Sequence, residues 1–288
     1  MDPLIVHNQK IVKLAEANLS PGQSGLMLGW GVFTTLRLYR GAPFEFARHW
    51  QRMARDATRL NVPLSFEQTA IHRLIIELAC ANGREDGMAR VIFVRNSGGQ
   101  WASGVGGPDI DLLIFTRELP AWPASYRLQI QPNAIFAAGT FAGAKMLSWA
   151  GNSTLMEKAR AEGYDEALLL NERGEVAECT SANIFMVHSG KALTPPLASG
   201  CLPGVTREIF LEIGPAAGIP VSEQPLTLES LDQAEEVFIS STTREVGAVR
   251  SIGERWQFKA PGSVTKALAE AFRSYVQRNT RVQVSSGS

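Results

Sequence analysis

The sequence predicts a chain of mixed helices and strands in two domains. Three observations carry this reading. Runs rich in β-forming residues recur along the chain. Helical runs with start and stop signals stand between them. One stretch holding Pro120, Trp122 and Pro123 separates two such sets. The expected division is a smaller domain over 1–118, a linker over 119–125 and a larger domain over 126–288.

In order along the chain, 32–46 alternates and carries Arg40-Gly41-Ala42-Pro43 in its middle, which predicts a hairpin. Residues 47–60 and 66–81 read as helices, the second stopped by Asn82-Gly83. Strands are expected over 90–95 and 110–116. The Gly-rich stretch 97–108 between them is long enough to be a functional loop. After the linker come a strand (126–131), a helix (152–162) and three successive strands (167–170, 175–178 and 183–187). Asn171-Glu172-Arg173-Gly174 forms the first turn of that set. A helix starts near Gly204, a strand covers 237–239, and a last helix covers 264–277.

Composition narrows the function classes. The 288 residues suffice for a large buried core. Lys plus Arg equals Asp plus Glu at 28 each, so no overall basic field draws nucleic acid or an anionic membrane surface. Cys80, Cys179 and Cys201 are odd in number and far apart, with no metal spacing and no redox pair. No secretory signal and no membrane-spanning run is visible, and a cytoplasmic setting is expected.

Four features could carry chemistry. Lysine is scarce, at 7 residues against 21 arginines, and Lys145 lies in the small, apolar run Ala142-Gly143-Ala144-Lys145-Met146-Leu147. Desolvation lowers an amine's pKa and sharpens it as a nucleophile toward a carbonyl; taken alone, the run more often marks a loop lysine with its stem on apolar surface, since buried lysines are rare. Glu178 ends a strand before Thr180-Ser181-Ala182, where it could accept a charge-assisted hydrogen bond, or be an exposed edge residue. Leu202-Pro203-Gly204-Val205-Thr206-Arg207 opens a helix with free N–H groups, a phosphate-binding geometry or a plain cap. Ser240-Ser241-Thr242-Thr243 gathers four hydroxyls at a strand end, suited to an anion or to an ordinary turn.

Taken in order, these runs resemble the class IV aminotransferase family, the fold-type IV pyridoxal phosphate enzymes. The resemblance lies in Glu178-Cys-Thr-Ser-Ala-Asn-Ile-Phe185, Thr194-Pro195-Pro196, Leu202 to Arg207, and Glu235-Glu236-Val237-Phe238 with Ser241-Thr242-Thr243. It extends upstream through His49-Trp50-Gln51-Arg52 and Gly31-Val32-Phe33, and covers nearly the whole chain. It implies an α+β fold of two domains with pyridoxal 5′-phosphate between them, a small-molecule amino substrate and a homodimer. By the same resemblance, Lys145 holds the cofactor and later moves the Cα proton, and Glu178 pairs with the pyridine nitrogen. Arg52, the N–H groups of Val205 and Thr206, and Thr242 would hold the phosphate, with Thr243 on the substrate side.

Within the family, Phe33-Thr34-Thr35, Lys145-Met146-Leu147-Ser148 and Ser97-Gly98-Gly99 favour the aminodeoxychorismate lyase branch. There Thr35 would assist elimination of pyruvate, giving 4-aminobenzoate. The alternative is a transaminase of branched-chain or other apolar amino acids with 2-oxoglutarate, Arg90 helping to hold a carboxylate. The Arg-x-His trap of D-amino acid aminotransferases is replaced by Gln100-Trp101-Ala102. Trp30, Gln100 and Trp149 depart from the family pattern and are expected to reshape the pocket. Two other classes find less support: a non-catalytic cofactor-binding protein is opposed by Lys145, Glu178 and Arg52, and a hydrolase using Cys179 or Cys201 finds no motif in His7, His49, His72 and His188.

Overall fold

A computed structural model of the chain describes residues 1–99 and 108–285. Part of the expected loop over 97–108, including Gln100 and Trp101, therefore lies outside the described residues. The chain divides into two compact units, with the boundary between Pro120 and Ala121. Ala144–Trp149 and the end of the last helix from Thr280 belong to the first unit rather than the second. Lys145 thus packs with a part of the chain that precedes it by many residues.

The first unit contains β1 (Leu4–His7), β2 (Lys10–Lys13), α1 (Ser24–Leu28), β3 (Gly31–Tyr39), β4 (Ala42–Pro43), α2 (Phe46–Arg59), α3 (Gln68–Ala81), β5 (Gly87–Arg95) and β6 (Ile110–Arg117). Its six strands form an antiparallel sheet in the order β2-β1-β6-β5-β3-β4. β3 alternates as a half-covered strand should: Val32, Thr34, Leu36 and Leu38 are almost completely buried, while Thr35, Arg37 and Tyr39 are more open. The buried face packs with Phe46, Met53 and Ala57 of α2 and with Ile71, Leu74, Ile75 and Leu78 of α3. The hairpin of β3 and β4 and both helices follow the sequence expectation closely. β1 and β2 carry no such expectation.

The second unit contains β7 (Tyr126–Ile135), α4 (Ala150–Ala161), β8 (Glu166–Asn171), β9 (Glu175–Cys179), β10 (Asn183–His188), β11 (Lys191–Thr194), α5 (Val205–Ala216), β12 (Val221–Glu223), β13 (Leu226–Thr227), β14 (Glu236–Ser241), β15 (Glu245–Ile252), β16 (Trp256–Gln257) and all of α6 (Ser263–Ser285) before Thr280. Its mixed sheet runs β12-β11-β10-β14-β15-β7-β8-β9-β13, with β16 beside β15. The three successive strands read from 167–187 are all present, but they do not pair as a meander. β8 and β9 pair antiparallel, but β10 leaves them to pair with β11 and β14. The turn Thr180-Ser181-Ala182 redirects the chain, leaving a single bridge between Cys179 and Ala182.

β10 reads as an unbroken apolar run because both its faces are covered. Ile184 and Met186 join one core with Val237 and Ile239 of β14. On the opposite face Phe185 and Phe238 stack at 4.7 Å, nearly parallel, with Phe210 of α5 edge-on to both. All three rings are fully buried. Phe238→Ala is expected to destabilise the chain by about 3–5 kcal/mol through lost burial and the cavity left behind. The fall in the urea midpoint, compared with that of an exposed control substitution, checks this.

Candidate functional site

In the first unit the site is built on β3, α2 and the strip 144–149. The strip is held by three backbone contacts. Phe33 N donates to Lys145 O at 3.2 Å, Leu147 N donates to Gly31 O at 2.8 Å, and Val32 and Met146 form a bridge. A fourth bond comes from a helix: Lys145 N donates to Asp56 Oδ2 at 3.0 Å. Asp56 is fully buried, and its other oxygen accepts from Arg55 Nε and Nη2 at 3.0 and 2.6 Å. The lysine backbone is thereby pinned between a strand edge and a buried carboxylate.

Side-chain alternation along β3 sorts the remaining residues. Phe33 and Thr35 face one way. Arg90 lies directly across from Thr35 in the β3–β5 register, and its Nε donates to Thr35 Oγ1 at 3.0 Å. Arg90 also sits 5.0 Å from the Phe33 ring centre. Lys145 Nζ lies 4.5 Å from the centre of the Phe33 ring and 4.5 Å from that of Trp149. Lys145, Arg90 and Thr35 are thus gathered around Phe33.

Thr34 faces the other way, into α2. Arg52 Nη2 donates to Thr34 Oγ1 at 3.0 Å, and that hydroxyl lies 2.8 Å from His49 Nδ1. The simplest proton arrangement has the hydroxyl donating to an unprotonated Nδ1. His49 is completely buried and its pKa is held well below 6.5, first by burial, then by the charges of Arg52 and Lys145. His49 and Asp56 are the residues that sequence reasoning missed. The signal was present: Phe46, His49, Met53 and Asp56 share one helical stripe, so a neutral imidazole and a carboxylate occupy positions where apolar residues would serve packing.

Of the two tryptophans expected to reshape the pocket, only Trp149 meets the lysine. The indole N–H of Trp30 donates to Leu60 O at 2.8 Å, and Arg95 lies 4.0 Å over its ring.

In the second unit, Glu178 Oε2 accepts from Leu202 N at 3.0 Å and from Asn183 Nδ2 at 3.3 Å. Asn183 Nδ2 also donates to Leu202 O at 2.9 Å. Asn183 thus couples the end of β9 to the segment that opens α5. Gly204 caps that helix, and a Cβ there would run into Asn183 Oδ1. Val205 and Thr206 follow in the first turn, whose N–H groups have no partners within the helix. Thr206 Oγ1 and Ser240 Oγ are buried, with no hydrogen-bond partner among the described residues. A buried hydroxyl left so calls for an explanation, and a bound anion is one. Thr242 is buried on the turn after β14, and Thr243 O accepts from Trp122 Nε1 at 3.3 Å. A helix N-terminus, an orphaned hydroxyl and a glycine that cannot carry a side chain fit a phosphate group; a carboxylate fixed by two donors fits a protonated ring nitrogen.

The buried thiols fit no nucleophilic role. Burial and the neighbouring Glu178 push Cys201 up to about 12, and burial with Glu166 pushes Cys179 well above its usual value. Neither supplies a thiolate near neutral pH. Among the described residues no cluster of His, Cys, Asp and Glu could hold a metal, and no helix is long and apolar enough to cross a membrane.

The model of the amino-transferase class IV family matches residues 31–252. The branched-chain-amino-acid aminotransferase of Escherichia coli K12 is 28% identical, over 92% of this chain and 90% of that one. The D-alanine aminotransferase of Bacillus licheniformis is 27% identical, over 96% and 98%. The crystal structure of a branched-chain aminotransferase from Thermoproteus uzoniensis with norvaline superposes with a TM-score of 0.85 at 27% identity, covering 96% of this chain and 95% of that one.

The depressed pKa of His49 has a consequence for stability. An unfolded chain would bind a proton at this residue below about pH 6.5, whereas the folded chain resists doing so until lower pH. The stability contributed by this site is therefore complete above pH 6.5 and is lost as pH falls toward the folded value. His49→Gln keeps a hydrogen-bonding group without the titration. Urea midpoints between pH 7.5 and 5 should fall less steeply in that variant than in the parent chain.

Proposed function

The chain belongs to the class IV aminotransferase family and is a pyridoxal 5′-phosphate enzyme, and from that premise we propose that it moves the amino group of a branched-chain or other apolar amino acid onto 2-oxoglutarate. The observation that carries the choice is the surface around Lys145. The rings of Phe33 and Trp149 flank the amine, and Arg90 stands on the Phe33 side. Aromatic walls suit an apolar side chain, and a guanidinium suits a carboxylate. The named branched-chain relatives support the same reading.

In this reading Lys145 binds the cofactor through its amine and carries a proton to and from the substrate's Cα. Arg52, the N–H groups of Val205 and Thr206, and Thr242 hold the phosphate. Glu178 would accept a hydrogen bond from the protonated ring nitrogen. Arg90, Thr35 and Thr243 orient the substrate. When bound, the cofactor supplies an electron sink for the pair left at Cα. Asp56 keeps the Lys145 backbone from drifting, so the amine returns to one place after each transfer. His49, neutral and buried, keeps Thr34 and Arg52 aligned without adding charge. The same reading takes the working form as a homodimer in the cytoplasm.

Elimination of pyruvate from aminodeoxychorismate is the second reading, favoured by Thr35. Its oxygen accepts from Arg90, which leaves its own proton available for transfer. The two reactions separate in one assay. The purified enzyme is given valine, leucine, isoleucine and D-alanine with 2-oxoglutarate, and separately aminodeoxychorismate. A branched-chain amino acid should turn over at about 1 per second or faster. Release of pyruvate and 4-aminobenzoate with inert amino acids would replace this proposal by the lyase reading. Lys145→Ala should abolish turnover. Glu178→Gln should lower kcat, each tenfold loss marking about 1.4 kcal/mol of transition-state stabilisation.

A further inference from the structure

We infer that Phe33 and Trp149 form an aromatic cage for the protonated amine of Lys145, and that Trp149 is a positioning residue for the state in which the lysine holds the substrate's proton. The inference rests on the reading that Lys145 is the base at Cα. In that step the neutral amine forms an N–H bond as the Cα–H bond breaks. The electron pair stays with the substrate, and the lysine becomes an ammonium until it returns the proton.

The geometry suits that interval. Nζ lies 4.5 Å from each ring centre, and the rings meet edge to face at 5.5 Å and 84°. A cation within about 6 Å of an aromatic ring is attracted by the ring's quadrupole, whereas a neutral amine gains little. The two rings therefore favour the proton-loaded lysine over the unloaded one. Phe33 divides its influence, because Arg90 also lies 5.0 Å from its centre. Trp149 is accordingly the ring whose removal should be felt most at Lys145.

Trp149 is also placed with care. Ser148 Oγ donates to Gly29 O at 3.0 Å, with Leu28 O also within 3.3 Å, and Trp149 N donates to Leu147 O at 2.7 Å. Gly29 adopts φ +62°, and a Cβ there would press on Ser148. The residue before the tryptophan is thus fastened to a turn that only glycine fits without strain. Trp149 is half-buried and Ser148 is exposed.

The test reads the lysine directly. The full chain is loaded with pyridoxamine 5′-phosphate, which leaves Nζ unlinked, and acylated with acetic anhydride across a pH series. Peptide mass spectrometry reports the labelling midpoint of Lys145, with exposed Lys158 as internal reference. Trp149→Leu should lower the Lys145 midpoint by roughly half a unit to one unit, from the usual size of such contacts. Trp149→Phe should keep most of the parent value, and Lys158 should not move. An unchanged midpoint in the Leu variant, or an equal shift in the Phe variant, overturns the cage. A separate measurement isolates the underlying reading: Lys145→Ala should no longer exchange an α-deuterium of valine with water. Continued exchange would remove Lys145 as the base while leaving the labelling result intact.

Discussion

The first unit's site depends on one hydrogen bond, from the backbone N–H of Lys145 to the buried carboxylate of Asp56. Burying a carboxylate costs several kcal/mol unless it is well satisfied. Asp56 is satisfied by Arg55 on one oxygen and by the Lys145 amide on the other. Arg59 stands 3.9 Å from the oxygen that Arg55 reaches, a second cation near the same charge. The chain is therefore held where the lysine's side chain reaches Phe33, and the strand bridge at Val32 and Met146 fixes its direction. The polar cluster of Thr34, His49 and Arg52 lies on the opposite side of β3, so one strand serves two kinds of chemistry through simple alternation.

This arrangement explains why α2 breaks the usual pattern of a surface helix. A helix that only packs would present apolar residues along its covered face. Here His49, Arg52 and Asp56 are buried beside Phe46 and Met53. Each has a partner that repays desolvation in part: Thr34 for the first two, the lysine strip for the third. Stability is given up along this face, and a defined position for the amine and the guanidinium is obtained. That trade is expected where a site, rather than a core, sets the sequence.

Much of the fold was legible because local signals were strong. The hairpin at Arg40-Gly41, the stop at Asn82-Gly83 and the Gly204 helix start each state their own geometry in residue type. The course of β10 was not legible. Its apolar run says that it is covered on both faces but not which strands cover it, since pairing partners are chosen by the whole sheet. Of the candidate site, Lys145, Arg90 and Thr35 could be named from the chain, but not their gathering around Phe33. Register between β3 and β5 decides that, and a shift of one residue would turn Thr35 away. Asp56 stayed hidden because its role is toward a backbone amide 89 positions away, which leaves no trace in local pattern.

The strip at 144–149 also sets an order of events during synthesis. When Pro120 leaves the ribosome, every strand of the six-stranded sheet has been made, and helices α2 and α3 with them. Yet the outer edge of β3 at Gly31 and Phe33 is still bare, and Asp56 has no amide to receive. Both wait for the strip, which emerges only after β7 has been translated. During that interval a nascent sheet carries an open edge, the feature most prone to wrong pairing. A chain shortened at the domain boundary would keep that edge permanently. The first unit is thus a discontinuous folding unit: the segment that brings the lysine closes its open edge, and the end of α6 joins it later still.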